Sequence, residues 1–399
     1  MPRVAVLCAI RGLGGAEISL LELVSRLRNS YEFHLVVPGD GLLKEQAACA
    51  GATVWVLPWP DVLAATGETA GRPGPARLLR AALSMRSFAR QLSDLVGEIG
   101  AAALVTNSAK AHVVGALMRK PQGTKIIWYM RDGLEHRVLS RKLLALVARR
   151  CDLAICISQY VAGQFHRYVS ASVPTDVVYN IVDLERFQPE AWRVKPADLQ
   201  KNAGEIWFGM IGAITPLKGQ DIFLDAAEKV LVQLPQARFV IVGDNPYATE
   251  AGSNYRQALA RRAESSVLGG RAKFLGFRQD VPEILSLLDV LVQPNRGPEG
   301  LGRSVLEAMA CGVPVVAVNQ WGPAELIRDG ETGLLFPPCN ADELAARMLR
   351  LGKDASLRRS MGEHGRGWVQ QNLVPNKLAG QFARILTNTI GPQLQEVIA

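Results

Sequence analysis

At 399 residues the chain is too long for one ordinary domain, and two are expected. Apolar residues make up 48% and charged residues 21%, a globular balance that argues against long disordered stretches. No apolar run approaches the ~20 residues of a membrane span, and Met1–Ala9 reads as a strand instead of a basic and apolar leader, so neither a spanning nor a secreted protein is expected.

In chain order, apolar and β-branched runs predict strands at Val4–Ala9, Phe33–Val37, Thr53–Leu57, Leu104–Thr106, Lys125–Tyr129, Leu153–Ile157 and Val177–Tyr179. Helical patterns lie between them, as at Ala16–Leu27, Leu43–Ala50 and Ala76–Ile99. Near-continuous apolar strands separated by helices predict a parallel sheet covered on both faces. From Asp183 to Glu205 the periodicity stops, with Pro189 and Pro196 in polar company. It restarts with strands at Ile206–Ile211, Phe239–Val242, Lys273–Leu275, Val290–Val292, Val313–Val318 and Gly333–Leu335. The expected organisation is a first domain over residues 1–182, a linker over 183–205 and a second domain over 206–375. A C-terminal helix over 376–399, able to cross back to the first domain, completes it. Both domains are expected to be α/β and doubly wound, with ligand space at the carboxyl ends of their strands.

The net charge of +8 is uneven: residues 1–190 carry six of it and the remainder two. That bias points to an anionic partner, whether a phosphate, a membrane surface or nucleic acid. Two segments concentrate it, Ala76–Gln91 and His136–Arg150, which interleave arginines with leucines. Each reads as an amphipathic helix lying on an anionic leaflet, or as a helix with its stripe on the sheet and its charges in water. The arginines lack interleaved exposed aromatics, so nucleic acid is not an expected partner. The six cysteines form no C-x-x-C pair and sit mostly in apolar stretches, which predicts buried thiols in a reducing cytosol. No D-x-D triplet and no zinc-like His/Cys spacing occurs, so no metal is expected.

Two loops carry the residue types that chemistry needs. Ile10 to Glu17 follows the first strand and opens a helix; Gly14 and Gly15 there would let a phosphate approach the backbone and the helix start. A tight strand-to-helix turn explains the same glycines. Counted from Gly12, the third glycine of a dinucleotide-binding G-x-G-x-x-G is Glu17, which argues against a dehydrogenase. In the second segment, Pro298 to Ala317, the loop Gly300-Leu301-Gly302 follows Glu299, and a helix is expected to begin near Ser304 with Glu307 one turn inside. Amides at its start suit a diphosphate. Ser304-x-x-Glu307 also reads as a capping box, with the carboxylate returning to the Ser304 N–H.

Glu299 to Glu307 at E-x7-E spacing, followed by Ala308 to Ala317, resembles the signature of glycosyltransferase family 4, the glycosyl transferases group 1. Gly14 to Glu17, Val178-Tyr179-Asn180, Ile211-Gly212 with Lys218-Gly219, Gly276-Phe277-Arg278 and Asp329 to Leu335 agree with it in order and distance. The resemblance implies the GT-B architecture, two Rossmann-like doubly wound parallel-sheet domains facing a central cleft. It implies a retaining transfer from a nucleotide-sugar donor held by the second domain to a glycan or lipid-linked acceptor held by the first. No cofactor or obligatory metal is implied. With the basic first half it suggests surface polysaccharide or glycolipid synthesis by a cytoplasmic enzyme, peripheral on an anionic membrane.

Residue by residue, the resemblance implies that Glu299 contacts the sugar hydroxyls, Glu307 the ribose hydroxyls and Lys218 the leaving diphosphate. Gly14, Gly15, Gly212, Gly300, Leu301, Gly302 and Ser304 would line the donor, and the peptide groups around Phe277 and Arg278 would hold the base. This chain departs from the family at two places. Ala213 stands where members carry an arginine, and Arg303 is expected to reach the phosphate instead. Arg131-Asp132 stand where many members place a histidine near the reacting centre, and these two are expected to act there; His112 and His136 read as ordinary helix or loop histidines. The same departures fit a second reading, a non-catalytic nucleotide-binding partner subunit with the same fold.

Overall fold

A computed structural model of the chain describes residues 1–60, 75–189, 196, 198–245, 250–264 and 267–391. Two compact units emerge, Met1–Ile181 together with the chain from Asn376 onward, and Val182–Pro375. The first is built on seven strands: β1 (Arg3–Leu7), β2 (Glu32–Val37), β3 (Thr53–Val56), β4 (Ala103–Thr106), β5 (Lys125–Met130), β6 (Leu153–Cys156) and β7 (Thr175–Val177). All pair in parallel, in the order β3-β2-β1-β4-β5-β6-β7. The second has six: β8 (Ile206–Ile211), β9 (Ala237–Val242), β10 (Ala272–Phe274), β11 (Val290–Gln293), β12 (Val315–Val318) and β13 (Leu334–Phe336), in the order β10-β9-β8-β11-β12-β13, again parallel.

The fold class read from the sequence is therefore the one observed. Strands such as Val290–Gln293 and Val315–Val318 are buried along their whole length, which is why they read as unbroken apolar runs. The seventh strand lies two residues before its expected place. Its neighbour β6 ends at Cys156, whose carbonyl takes a bond from the Val178 N–H at 2.9 Å just past the end of the strand.

Each sheet reverses direction beside its first strand, between β1 and β4 and between β8 and β11. Loops leaving the carboxyl ends on either side of such a reversal splay apart, and a ligand can enter between them. The chain segments after β1, β4, β8 and β11 are thus the places where the topology puts a site.

Different packing holds each unit. In the second, Phe223 meets Phe239 edge-on at 5.9 Å and Phe208 stacks on it at 5.8 Å, within a core of buried aliphatic side chains. In the first, Trp128 stands edge-on to Phe165 at 6.2 Å and stacks on His112 at 5.3 Å. The last helix, Pro375–Ile390, closes the first unit: Phe382 packs on Tyr129 at 5.3 Å, the Tyr31 hydroxyl donates to the Ala383 carbonyl at 2.8 Å, and Gln381 Nε2 donates to the Val177 carbonyl at 2.9 Å.

Candidate functional site

In the second unit the loops after β8 and β11 are joined by their backbones. After β8 the chain makes a short turn, Pro216–Lys218, and then helix Gln220–Gln233. The Leu217 carbonyl accepts from the N–H groups of Arg296 at 2.9 Å and Gly297 at 3.1 Å. Gly219 has φ +79°, and a Cβ there would lie 2.0 Å from the Pro294 carbonyl oxygen, so only glycine allows the approach. The Arg296 guanidinium adds two bonds to Asp221, at 3.1 and 2.5 Å.

This junction brings Lys218 to Glu299. The ammonium donates to Glu299 Oε2, with side chains 30% and 17% exposed. Asn295 Nδ2 donates to the same oxygen at 3.2 Å. Glu299 Oε1 has no protein partner among the described residues. Lys218 and Glu299, expected to act on the diphosphate and the sugar, are thus one ion pair at the reversal point of the sheet.

The E-x7-E helix runs Arg303–Ala310 and starts after Gly302, at φ +94°. Beginning one residue before Ser304, it leaves that serine inside the first turn, and the capping box is not made. The Ser304 hydroxyl instead donates to Gln293 Oε1 at 3.4 Å. Glu307 is buried and accepts from Arg303 Nε at 2.6 Å. Burial pushes its pKa up and the Arg303 guanidinium pulls it back. Arg303 therefore serves Glu307 in this structure, where a phosphate contact was expected of it.

The other expected donor residues fall differently. The Leu301 side chain is fully buried, so only its backbone can meet a ligand. Gly212 donates its N–H to the Val242 carbonyl at 2.9 Å. The Arg278 guanidinium is committed to two carboxylates, Asp280 at 2.7 and 2.5 Å and Asp198 at 2.6 and 3.0 Å, which hold its pKa above the ordinary arginine value. Of the groups expected to meet a base at Arg278, that leaves the peptide group.

Gly14, Gly15, Arg131 and Asp132 belong to the first unit. Helix Gly15–Leu27 begins after Gly14, whose N–H donates to Glu17 Oε2 at 3.2 Å. Asn107, directly after β4, donates from Nδ2 to Glu17 Oε1 at 3.5 Å and accepts on Oδ1 from Arg131 Nε at 2.5 Å. Arg131 Nη1 donates to Asn180 Oδ1 at 3.2 Å, and its guanidinium lies 4.0 Å above the Tyr129 ring. All four polar side chains are buried, and Arg131 Nη2 has no partner among the described residues. Burial raises the Glu17 pKa, while the Arg131 charge lowers it. Asp132 turns elsewhere and pairs with Arg137 at 3.0 Å in a half-exposed position. His112 is a core residue: Nδ1 meets the Thr106 hydroxyl at 2.6 Å, and burial drops its pKa to about 3.

Sequence reasoning assigned no role to Asn107, Asn180 or Asn295. The available signal was position alone, since Asn107 and Asn295 are one and two residues past the strands that flank each reversal.

Around helix Ala109–Leu117 the two basic segments appear as helices Pro75–Ile99 and Val138–Val147, both packed against it. Leu79, Leu83, Leu139 and Leu146 are exposed, among the exposed Arg80, Arg86, Arg90, Lys142, Arg149 and Arg150. The side chains of Arg77 and Leu78, in the first segment, lie outside the described residues. No described helix is long and apolar enough to cross a membrane.

Comparison with known proteins meets this geometry in both halves. Residues 193–368 match the family described as glycosyl transferases group 1, and residues 13–186 match glycosyltransferase family 4. The chain is 27% identical over 391 residues to the GDP-mannose-dependent alpha-(1-6)-phosphatidylinositol monomannoside mannosyltransferase of Mycobacterium tuberculosis, covering 94% of both. It is 30% identical over 257 residues to the lipopolysaccharide core biosynthesis mannosyltransferase LpsB of Rhizobium meliloti, covering 58% of this chain and 69% of that one. Among solved structures, Anabaena Alr3699/HepE in complex with UDP-glucose superposes with a TM-score of 0.79 at 24% identity, over 96% of this chain and 99% of that one; this likeness concerns the fold.

Proposed function

The chain belongs to glycosyltransferase family 4, the glycosyl transferases group 1, and we propose that it moves a sugar from a nucleotide-sugar donor, with retention, to a lipid-linked or glycan acceptor. Donor binding is assigned to the second unit and acceptor binding to the first. The observation that carries this reading is the Lys218–Glu299 pair, a cation and a carboxylate presented together at a sheet reversal.

A diphosphate competes with Glu299 for Lys218. Once the ammonium turns to the phosphate oxygens, Glu299 becomes an acceptor for sugar hydroxyls. Glu307, paired with Arg303, accepts from the ribose hydroxyls. As the bond to the diphosphate loosens, negative charge grows on the leaving oxygen, where a fixed ammonium helps most. The acceptor hydroxyl attacks from the same face and passes its proton to that departing phosphate oxygen. In this scheme Lys218 and the amides at the start of helix Arg303–Ala310 answer the phosphate charge, and no metal takes part.

In the first unit, Arg131 presents Nη2 as the remaining donor of a guanidinium otherwise held by Asn107 and Asn180. Its role is to hold an anionic or carbonyl oxygen of the bound acceptor, and Asp132 keeps the adjoining loop on Arg137. The exposed leucines and arginines of helices Pro75–Ile99 and Val138–Val147 support docking on the anionic cytoplasmic face of a membrane, the place to meet a glycolipid. Flotation with anionic liposomes at low salt tests this: wild type rises with the vesicles, and absence of binding removes the membrane role.

A thermal-shift screen of the full chain against UDP-, GDP-, ADP- and dTDP-sugars tests the donor assignment. One donor is expected to raise the melting temperature by mass action, and NMR of the product is expected to show the donor's anomeric configuration preserved. Nucleoside diphosphate binding without turnover over a panel of acceptors would favour the non-catalytic partner.

A further inference from the structure

Asn107 and Asn295 occupy corresponding points of two sheets with the same strand order, each just past the strand that flanks the reversal. Each donates from its amide nitrogen to a carboxylate, Asn107 to Glu17 and Asn295 to Glu299. Their carbonyl oxygens differ. Asn107 Oδ1 accepts from the Arg131 guanidinium, whereas Asn295 Oδ1 is buried with no donor among the described residues. A side chain that is 2% exposed leaves no bulk water to satisfy that oxygen, and an unpaired buried acceptor is costly to keep.

From this contrast we propose that Asn295 is a donor-sugar ligand: its Oδ1 accepts from a hydroxyl of the transferred sugar while its Nδ2 holds Glu299 Oε2. The inference rests on the donor assignment above and names a further residue of that site. Lys218 and Asn295 share one oxygen of Glu299. When the diphosphate draws the ammonium away, Asn295 is the donor that stays on Oε2, which leaves Oε1 for the sugar. Asn295 thus acts only when a sugar is attached and has no part in holding a bare nucleoside diphosphate.

The test compares two ligands on the full chain. Dissociation constants for UDP and UDP-glucose, and for GDP and GDP-mannose, are measured by calorimetry for wild type, Asn295→Ala and Asn295→Asp. Both variants are expected to lose about tenfold in affinity for the nucleotide sugar that wild type binds and to keep the affinity for its nucleoside diphosphate, Asn295→Ala because the bond from the sugar hydroxyl is gone and Asn295→Asp because its carboxylate repels Glu299 at neutral pH. Asn295→Asp is nearly isosteric, which guards against loss of the fold. As the pH is lowered and the carboxylate introduced by Asn295→Asp takes up a proton, its O–H replaces the missing donor to Glu299. This variant therefore regains nucleotide-sugar binding while Asn295→Ala does not. An unchanged affinity ratio in both variants, or one pH profile shared by both, overturns the proposal alone. Should none of these serve, the pair is replaced by the ADP or dTDP ligands, and failure of wild type to bind any nucleotide sugar of the four bases overturns the donor assignment and this inference with it.

Discussion

The acidic and basic groups of the two units are held in opposite ways. In the second unit Lys218 and Glu299 touch directly at a partly exposed position, and such a pair adds little to stability, about 0–1 kcal/mol. In the first, Glu17 and Arg131 never meet; Asn107 bridges them, Asn180 and the Tyr129 ring fix the guanidinium, and everything is buried. A ligand can part the first arrangement cheaply, whereas parting the second would leave a charge alone in the interior. One cluster is built for exchange of partners and the other for permanence, which is the division expected between a donor that arrives and departs charged and a scaffold that orients its co-substrate.

The largest effect that would break this comparison is kinetic. Lys218→Ala and Glu299→Ala are each expected to lower turnover by about two to three orders of magnitude. Their circular dichroism and melting temperature should stay near wild type, because the pair they dissolve stabilises so little. Near-normal rates in both would remove the assignment.

Next comes stability in the first unit. Arg131→Met strands the buried Glu17 carboxylate and is expected to cost about 3 kcal/mol in denaturant unfolding. Adding Glu17→Gln should recover part of that loss without restoring turnover. A single Arg131→Met variant as stable as wild type would show that the cluster is not a fixed scaffold.

The most gradual effect concerns pH. His112 titrates near 6.5 when unfolded and at about 3 in the fold, where it stays neutral against Thr106 and Trp128. Between those values the unfolded chain binds the extra proton, so stability falls as the pH drops, by about 1.4 kcal/mol per unit, and the loss is complete below about 3. His112→Asn should flatten that part of a melting-temperature profile. A slope unchanged by the substitution would place the acid sensitivity in another group.

What could be read from the residue order follows from how local each signal is. Buried parallel strands announce themselves as apolar runs, so both sheets were legible, and the E-x7-E stretch declared two carboxylates and a helix within a dozen residues. The Lys218–Glu299 contact was not legible: its partners lie 81 residues apart and meet only because β8 and β11 are neighbours in the sheet. The capping-box reading failed for a local reason that letters alone do not reveal, the left-handed turn at Gly302 that starts the helix early. The pairing of Arg278 was not legible either, because Asp198, one of the carboxylates that engage it, comes 80 residues earlier. Asn295, set between Pro294 and Arg296, carries no sequence mark of its own.

The return of helix Pro375–Ile390 to the first unit sets an order of events during synthesis. Tyr31, Tyr129 and the edge at Val177 remain uncovered until Phe382 and its neighbours have emerged from the ribosome. By then every strand of the second sheet has already been made. Nascent domains ordinarily mature from the amino end; here the earlier lobe lacks its closing helix until the strands of the later one have all been made.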